Sequence, residues 1–170
     1  KIRNAYLKFW KKGQDACQTG NLETFHEFLY GQKVNINGID FVLNILDFKA
    51  TAFFTNEKKQ AICVPSCITY NSFEFQVTDI GFKENCICQA KYISFLEDSP
   101  ITSIDVNDFN CPLLERLYIP PNAEKLKISN THKKLSIILS SNNHHFIETS
   151  EGLILGKSEA GINDFDSLIY

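Results

Sequence analysis

The stretch from Val34 to Phe48, "VNINGIDFVLNILDF", sets the fold expected for this chain. Asn37-Gly38 lies between two β-prone arms, and this dipeptide accepts the positive φ angles that a two-residue hairpin turn requires. Downstream, "AFFTNEKKQAICV" (52–64) has the same plan of two apolar arms around a polar centre. In "FEFQVTDI" (73–80), Phe73, Phe75 and Val77 alternate with Glu74, Gln76 and Thr78, the period-two pattern of a strand with one wet face. "CICQAKYISFL" (86–96) reads as another strand. "EKLKIS" with "KKLSIILS" and "HFIETS" with "GLILGK" read as two further hairpins. Between them, Ser99 to Pro121 carries four prolines and reads as a long connection, with "CPLLERLY" forming a helical turn or two.

Upstream the period changes. Ile2, Tyr6, Leu7 and Trp10 recur at helical spacing, as do Leu22, Phe25, Phe28 and Leu29, with Asn21 as N-cap and Gly31 as stop. The expected fold class is therefore α+β. A helical hairpin over 1–31 packs on a mainly antiparallel meander over 32–170, folded as a sandwich or half barrel, and together they form a single domain. A chain of 170 residues with 44% hydrophobic residues can bury such a core without metal or disulfide support.

The charge narrows the range of partners. A net charge of −3 argues against nucleic acid and anionic membrane surfaces, which a basic face attracts, and points to a basic protein instead. The most apolar stretch is interrupted by Asn44, Asp47 and Lys49, so no segment reaches the roughly 18 apolar residues of a membrane helix. Six cysteines are too few for a disulfide scaffold, and the expected setting is cytoplasmic and reducing. The acids are clustered. Residues 92–115 hold Glu97, Asp98, Asp105, Asp108 and Glu115 with no Lys or Arg. Phe95 and Phe109 lie in the same run as aromatic anchors for a partner.

Motifs for catalysis are absent: the sequence has no P-loop, G-x-G-x-x-G, H-E-x-x-H or G-x-S-x-G. Cys63, Cys67, Cys86 and Cys88 lack the spacing of a zinc ribbon and read as buried thiols, so neither a metal nor another cofactor is expected. Cys17, Cys111, His26 and His132 supply the residue types of a Cys/His hydrolase or metal-dependent enzyme, which is the alternative reading; a secreted or viral host-interaction domain is the third. The acidic run "FLEDSPITSIDVNDFNCPLLE" (95–115) and the Asn-, Lys- and Ile-rich usage resemble, in general character, the immunity proteins that bacteria use to neutralise their own toxins in contact-dependent growth inhibition. The resemblance implies an inhibitor of a basic, nuclease-type toxin, and it implies nothing about fold.

His144 and His145 are adjacent in "SSNNHHFIETSEG" (140–152), so their side chains diverge and cannot share a metal easily. They are expected at a solvated bend. Replacing both with Ala should shift stability by less than about 1 kcal/mol in urea unfolding, as at ordinary surface positions.

Overall fold

A computed structural model describes residues 31–54, 58–82, 86–128, 135–156 and 167–169, together with Lys11, Lys12, Gln14, Asp15, Gln18 and Leu29. Its first sheet is built from β1 (Gln32–Ile36), β2 (Ile39–Asn44) and β3 (Lys49–Phe54), joined in antiparallel fashion. Asn37 and Gly38 have φ of 52° and 81°, so the hairpin forms where its turn chemistry requires. Along β2, Ile39, Phe41 and Leu43 all face the core.

The next elements leave this meander. β4 (Ala61–Val64) does not fold back on β3 but pairs elsewhere, while β5 (Cys67–Tyr70) and β6 (Phe73–Ile80) form a hairpin that returns to the first sheet. There β6 lies parallel to β3, with a register slip between Ala50 and Thr51. The alternation expected in β6 holds, with Phe75 and Val77 fully buried and Glu74 and Gln76 exposed. Phe48 caps this junction, its ring 6.0 Å from Phe73 and 5.7 Å from Phe75.

β4 and the chain after the β5–β6 hairpin wind as a stack of rungs. β7 (Tyr92–Phe95) is followed by β8 (Ser103–Asp105) and a 3-10 turn (Val106–Phe109). β9 (Arg116–Ile119) is followed by β10 (Lys125–Lys127), and then comes β11 (Ser136–Leu139). The long strands form one parallel sheet in the order β11-β9-β7-β4, and β8 pairs with β10 in a second, parallel row. β12 (Phe146–Glu148), β13 (Ile154–Gly156) and β14 (Ser167–Leu168) close the chain as an antiparallel sheet.

Period-two burial drives the stacking. The register aligns Ile62, Ile93, Leu117 and Ile137 in one inward row, all nearly or fully buried. Val64 with Phe95, Ile119 with Leu139 and Ile104 with Leu126 extend it. Each such side chain contributes about 1.5–3 kcal/mol when fully buried. These residues and those of the first sheet form one continuous core.

Turns stack as the strands do. Ser99 N donates to Leu96 O at 3.0 Å, Ala123 N to Pro120 O at 3.3 Å and Asn143 N to Ser140 O at 3.0 Å, placing a turn of the same form at each rung's corner. Asn side chains tie one corner to the next. Asn122 Nδ2 donates to Ser99 O at 2.8 Å, and Asn143 Nδ2 donates to Pro120 O and Ala123 O at 2.8 and 3.0 Å. The Asn143 Oδ1 accepts the N–H groups of His145 and Phe146. These bonds satisfy carbonyls that burial would otherwise make costly.

The α+β expectation is therefore corrected for the described residues from Gln32 onward, which form an all-β, solenoid-like fold. The elements with described bounds are strands and one 3-10 turn; Lys11, Lys12, Gln14, Asp15, Gln18 and Leu29 are helical, and the rest of the helical hairpin expected over 1–31 lies outside the described residues. "AFFTNEKKQAICV" is no hairpin, because its arms β3 and β4 pair in parallel with β6 and β7. "EKLKIS" and "KKLSIILS" likewise pair not with each other but with β8 and β9. The supposed connection over 99–121 contains β8, the 3-10 turn and β9. The physical reason is common to all three. Inward alternation is the same for parallel and antiparallel pairing, so it marks the strands without choosing their partners.

Asn143→Ala removes two donors and an acceptor from a buried corner, and should lower stability by about 3 kcal/mol in urea unfolding. Asn122→Ala, which loses a single bond at an exposed position, should cost under about 1 kcal/mol in the same measurement.

Candidate functional site: the outer face of the parallel sheet

Alternation that sends Ile93, Leu117 and Ile137 inward sends their neighbours outward. The register places Ala61, Tyr92, Arg116 and Ser136 in one outer row, with Cys63 and Ser94 aligned beside it on β4 and β7 and Tyr118 and Ile138 on β9 and β11. Tyr92 is 37% exposed and Ile138 44% exposed. Arg116 and Cys63 are exposed as well, while Ser94 and Tyr118 are half-buried. The Arg116 guanidinium carbon stands 5.7 Å from the centre of the Tyr92 ring, a cation–π contact that pre-positions both side chains. Parallel sheets are generally covered on both faces, whereas here Tyr92, Arg116 and Ile138 are exposed on the outer one.

Fixed charges flank the face. At the amino ends of the strands Lys91 Nζ meets Glu115 Oε1 at 2.8 Å, an ion pair joining adjacent rungs. At the carboxyl ends the Glu97 carboxylate accepts the hydroxyl of Tyr118 and, at 2.9 Å, that of Ser140, so one carboxylate links three rungs. The Tyr118 hydroxyl, followed by that of Ser140, holds Glu97 below the usual carboxylate range, and the same bond raises the Tyr118 phenol.

The acidic run expected to form a single patch is divided among three places. Phe95 and Phe109 are core residues, 3% and 1% exposed, and Phe109 packs edge-on against Phe54 at 5.1 Å, so neither can anchor a partner. Asp98 is exposed in the turn beside Glu97. Asp105 caps the 3-10 turn, accepting Asn107 N at 2.9 Å, and its carboxylate pairs with Lys127 at 2.9 Å. Burial alone would raise Asp105, but Lys127 and Asn107 outweigh it and hold the carboxyl below its ordinary value. Asp108 nearby is pushed up by burial and by the charge of Asp105. Glu115 belongs to the Lys91 pair at the other end of the strands. The cations missing from residues 92–115 thus come from flanking positions one rung away.

Tyr92, Arg116, Tyr118 and Ile138 were not among the residues singled out from sequence. Their signal was the outward parity of "KYISF", "ERLYI" and "SIIL", and the connection assigned over 99–121 conceals the second of these. Among the described residues no three His, Cys, Asp or Glu side chains are grouped to hold a metal ion. Cys111 is buried, and Cys17, His26 and His132 lie outside the described residues. His144 is exposed, and His145 is half-buried with Nε2 3.9 Å from Glu124 Oε1.

No family model matches the sequence, and no curated protein matches it. Among solved structures the chain is similar to the pneumococcal vaccine antigen PcpA, at 15% identity with a TM-score of 0.35, over 75% of this chain and 54% of that one. It is also similar to a leucine-rich cell surface protein of Faecalibacterium prausnitzii A2-165, at 10% identity with a TM-score of 0.28, over 76% of this chain and 59% of that one. The chain spans between half and two thirds of the length of either protein.

Proposed function

We propose that this protein is a protein-recognition module whose partner docks on the outer face of the β4-β7-β9-β11 sheet. The observation that carries this reading is the exposure of Tyr92 and Ile138, with Arg116 stacked on Tyr92, on a parallel sheet face that nothing among the described residues covers. Tyr and Arg dominate the energetic centres of protein interfaces because they bury much area per ordered rotamer. A face held by ladder hydrogen bonds is already ordered, so docking sacrifices little conformational freedom there.

Neutralisation of a basic toxin is the narrower form of this reading. A net charge of −3 and the exposed Glu97 and Asp98 at the rim support a basic partner. Asp105 and Glu115 add less, since Lys127 and Lys91 already compensate them.

A photo-cross-linking amino acid placed at position 92 or 138 in the native host should capture one partner protein, and the same group at the exposed turn residue Asn71 should capture none. Tyr92→Glu with Ile138→Glu should weaken binding of the captured partner by at least about 30-fold, the loss of roughly 2 kcal/mol that an interface centre carries. Equal capture from position 71 would overturn the reading. For the basic-partner form, Glu97→Lys with Asp98→Lys should slow association in low salt and leave it nearly unchanged at high salt, where exposed charges are screened.

A further inference from the structure

Two thiols stand in register between successive rungs. Cys88 N donates to Asn110 O at 3.0 Å. In a parallel pair an N–H bonds the carbonyl just before its register partner, as Arg116 N does with Lys91 O opposite Tyr92, and Lys125 N with Thr102 O opposite Ser103. By that rule the partner of Cys88 is Cys111. Neighbouring strands lie about 4.8 Å apart, within the roughly 4.4–6.8 Å between Cα atoms that a disulfide spans.

The side chains agree with the backbone. Cys88 and Cys111 are 0% and 1% exposed, and both point into the same core. The Cys88 Sγ accepts Ala90 N–H at 3.4 Å, and the Cys111 thiol lies between Phe109 O, at 3.3 Å, and the Cys88 sulfur. Asn110, in a left-handed conformation with φ of 45°, fixes the approach by donating its Nδ2 to Cys86 O.

We infer that Cys88 and Cys111 are a latent disulfide site, able to join two successive rungs covalently through the core. The reaction is exchange with a small disulfide such as oxidised glutathione. The Cys88 thiolate attacks one glutathione sulfur and releases a first glutathione. Cys111 then attacks the Cys88 sulfur of the mixed disulfide and expels the second. The two thiol protons leave on the two released glutathiones, so the protein loses two hydrogens and the oxidant gains them. Cys88 is suited to attack first, since the hydrogen bond from Cys111 brings its thiol down to about 7 while Cys111 is raised by the same bond and by burial. Burial makes the reaction slow beside modification of the exposed Cys63 on β4.

The test is to incubate the whole chain with oxidised glutathione and to map cross-linked peptides without reduction. The expected result is a peptide pair joining Cys88 to Cys111, formed after Cys63 is glutathionylated, with Tm higher by about 5 °C because the unfolded chain is constrained. Cys88→Ser and Cys111→Ala should each abolish both the link and the shift, whereas Cys86→Ser should keep them. Peptide mapping of the unaltered chain stands even if a variant fails to fold. A link from Cys86, no intramolecular link, or a link that leaves Tm unchanged would overturn the assignment.

Discussion

The structure depends on a carbonyl that begins each rung and accepts two successive N–H groups from its neighbour. Gln60 O receives Lys91 N and Tyr92 N, Lys91 O receives Glu115 N and Arg116 N, and Thr102 O receives Glu124 N and Lys125 N. Each fork sets the register of the strand that follows. Once set, the register decides everything beyond it: Ile62, Ile93, Leu117 and Ile137 must share the inner row, and Tyr92 and Arg116 must share the outer one. A slip of one residue would exchange the two rows and expose the core.

Side-chain contacts between rungs reinforce this backbone logic instead of adding a separate one. Lys91 and Glu115 pair because they occupy the same position one rung apart, and Glu97, at the corner after β7, reaches Tyr118 on β9 and Ser140 at the end of β11. Exposed ion pairs contribute little singly. Here their value is in orientation, because they hold the ends of the aromatic face in fixed positions.

Much of the β content was legible in the sequence, and the reasons for failure are specific. Asn37-Gly38 announced its hairpin because turn chemistry is local, and Phe73 to Ile80 announced its parity because period two is local. Partner choice is not local. Tyr92–Phe95 and Arg116–Ile119 are separated by Pro100, Pro112 and two short elements, and no residue between them states that they lie side by side. The same limit applies to the two aromatic residues expected as anchors. Phe95 and Phe109 looked like anchors because they stand among acids in the linear order, yet both face inward. Glu97 and Asp98 stand in the acidic run and are exposed, whereas the shared outer row of Tyr92 and Arg116 and the exposure of Ile138 became visible only once the rungs were stacked.

The stacked corners have a further consequence for how the molecule comes apart. Apart from the Glu97–Ser140 bond, which spans three rungs, the rungs are joined mainly to their neighbours, so the stack approximates a one-dimensional array in which an inner rung is held from two sides and an end rung from fewer. β7 and β9 are held from both sides, while β4 and β11 lie at the margins of the order β11-β9-β7-β4. Opening therefore begins at a margin and travels inward, so amide protons of β7 and β9 exchange last. The outer face therefore loses Ile138, on marginal β11, before Tyr92 and Arg116, and it comes apart by degrees from that edge while the centre of the array is still intact.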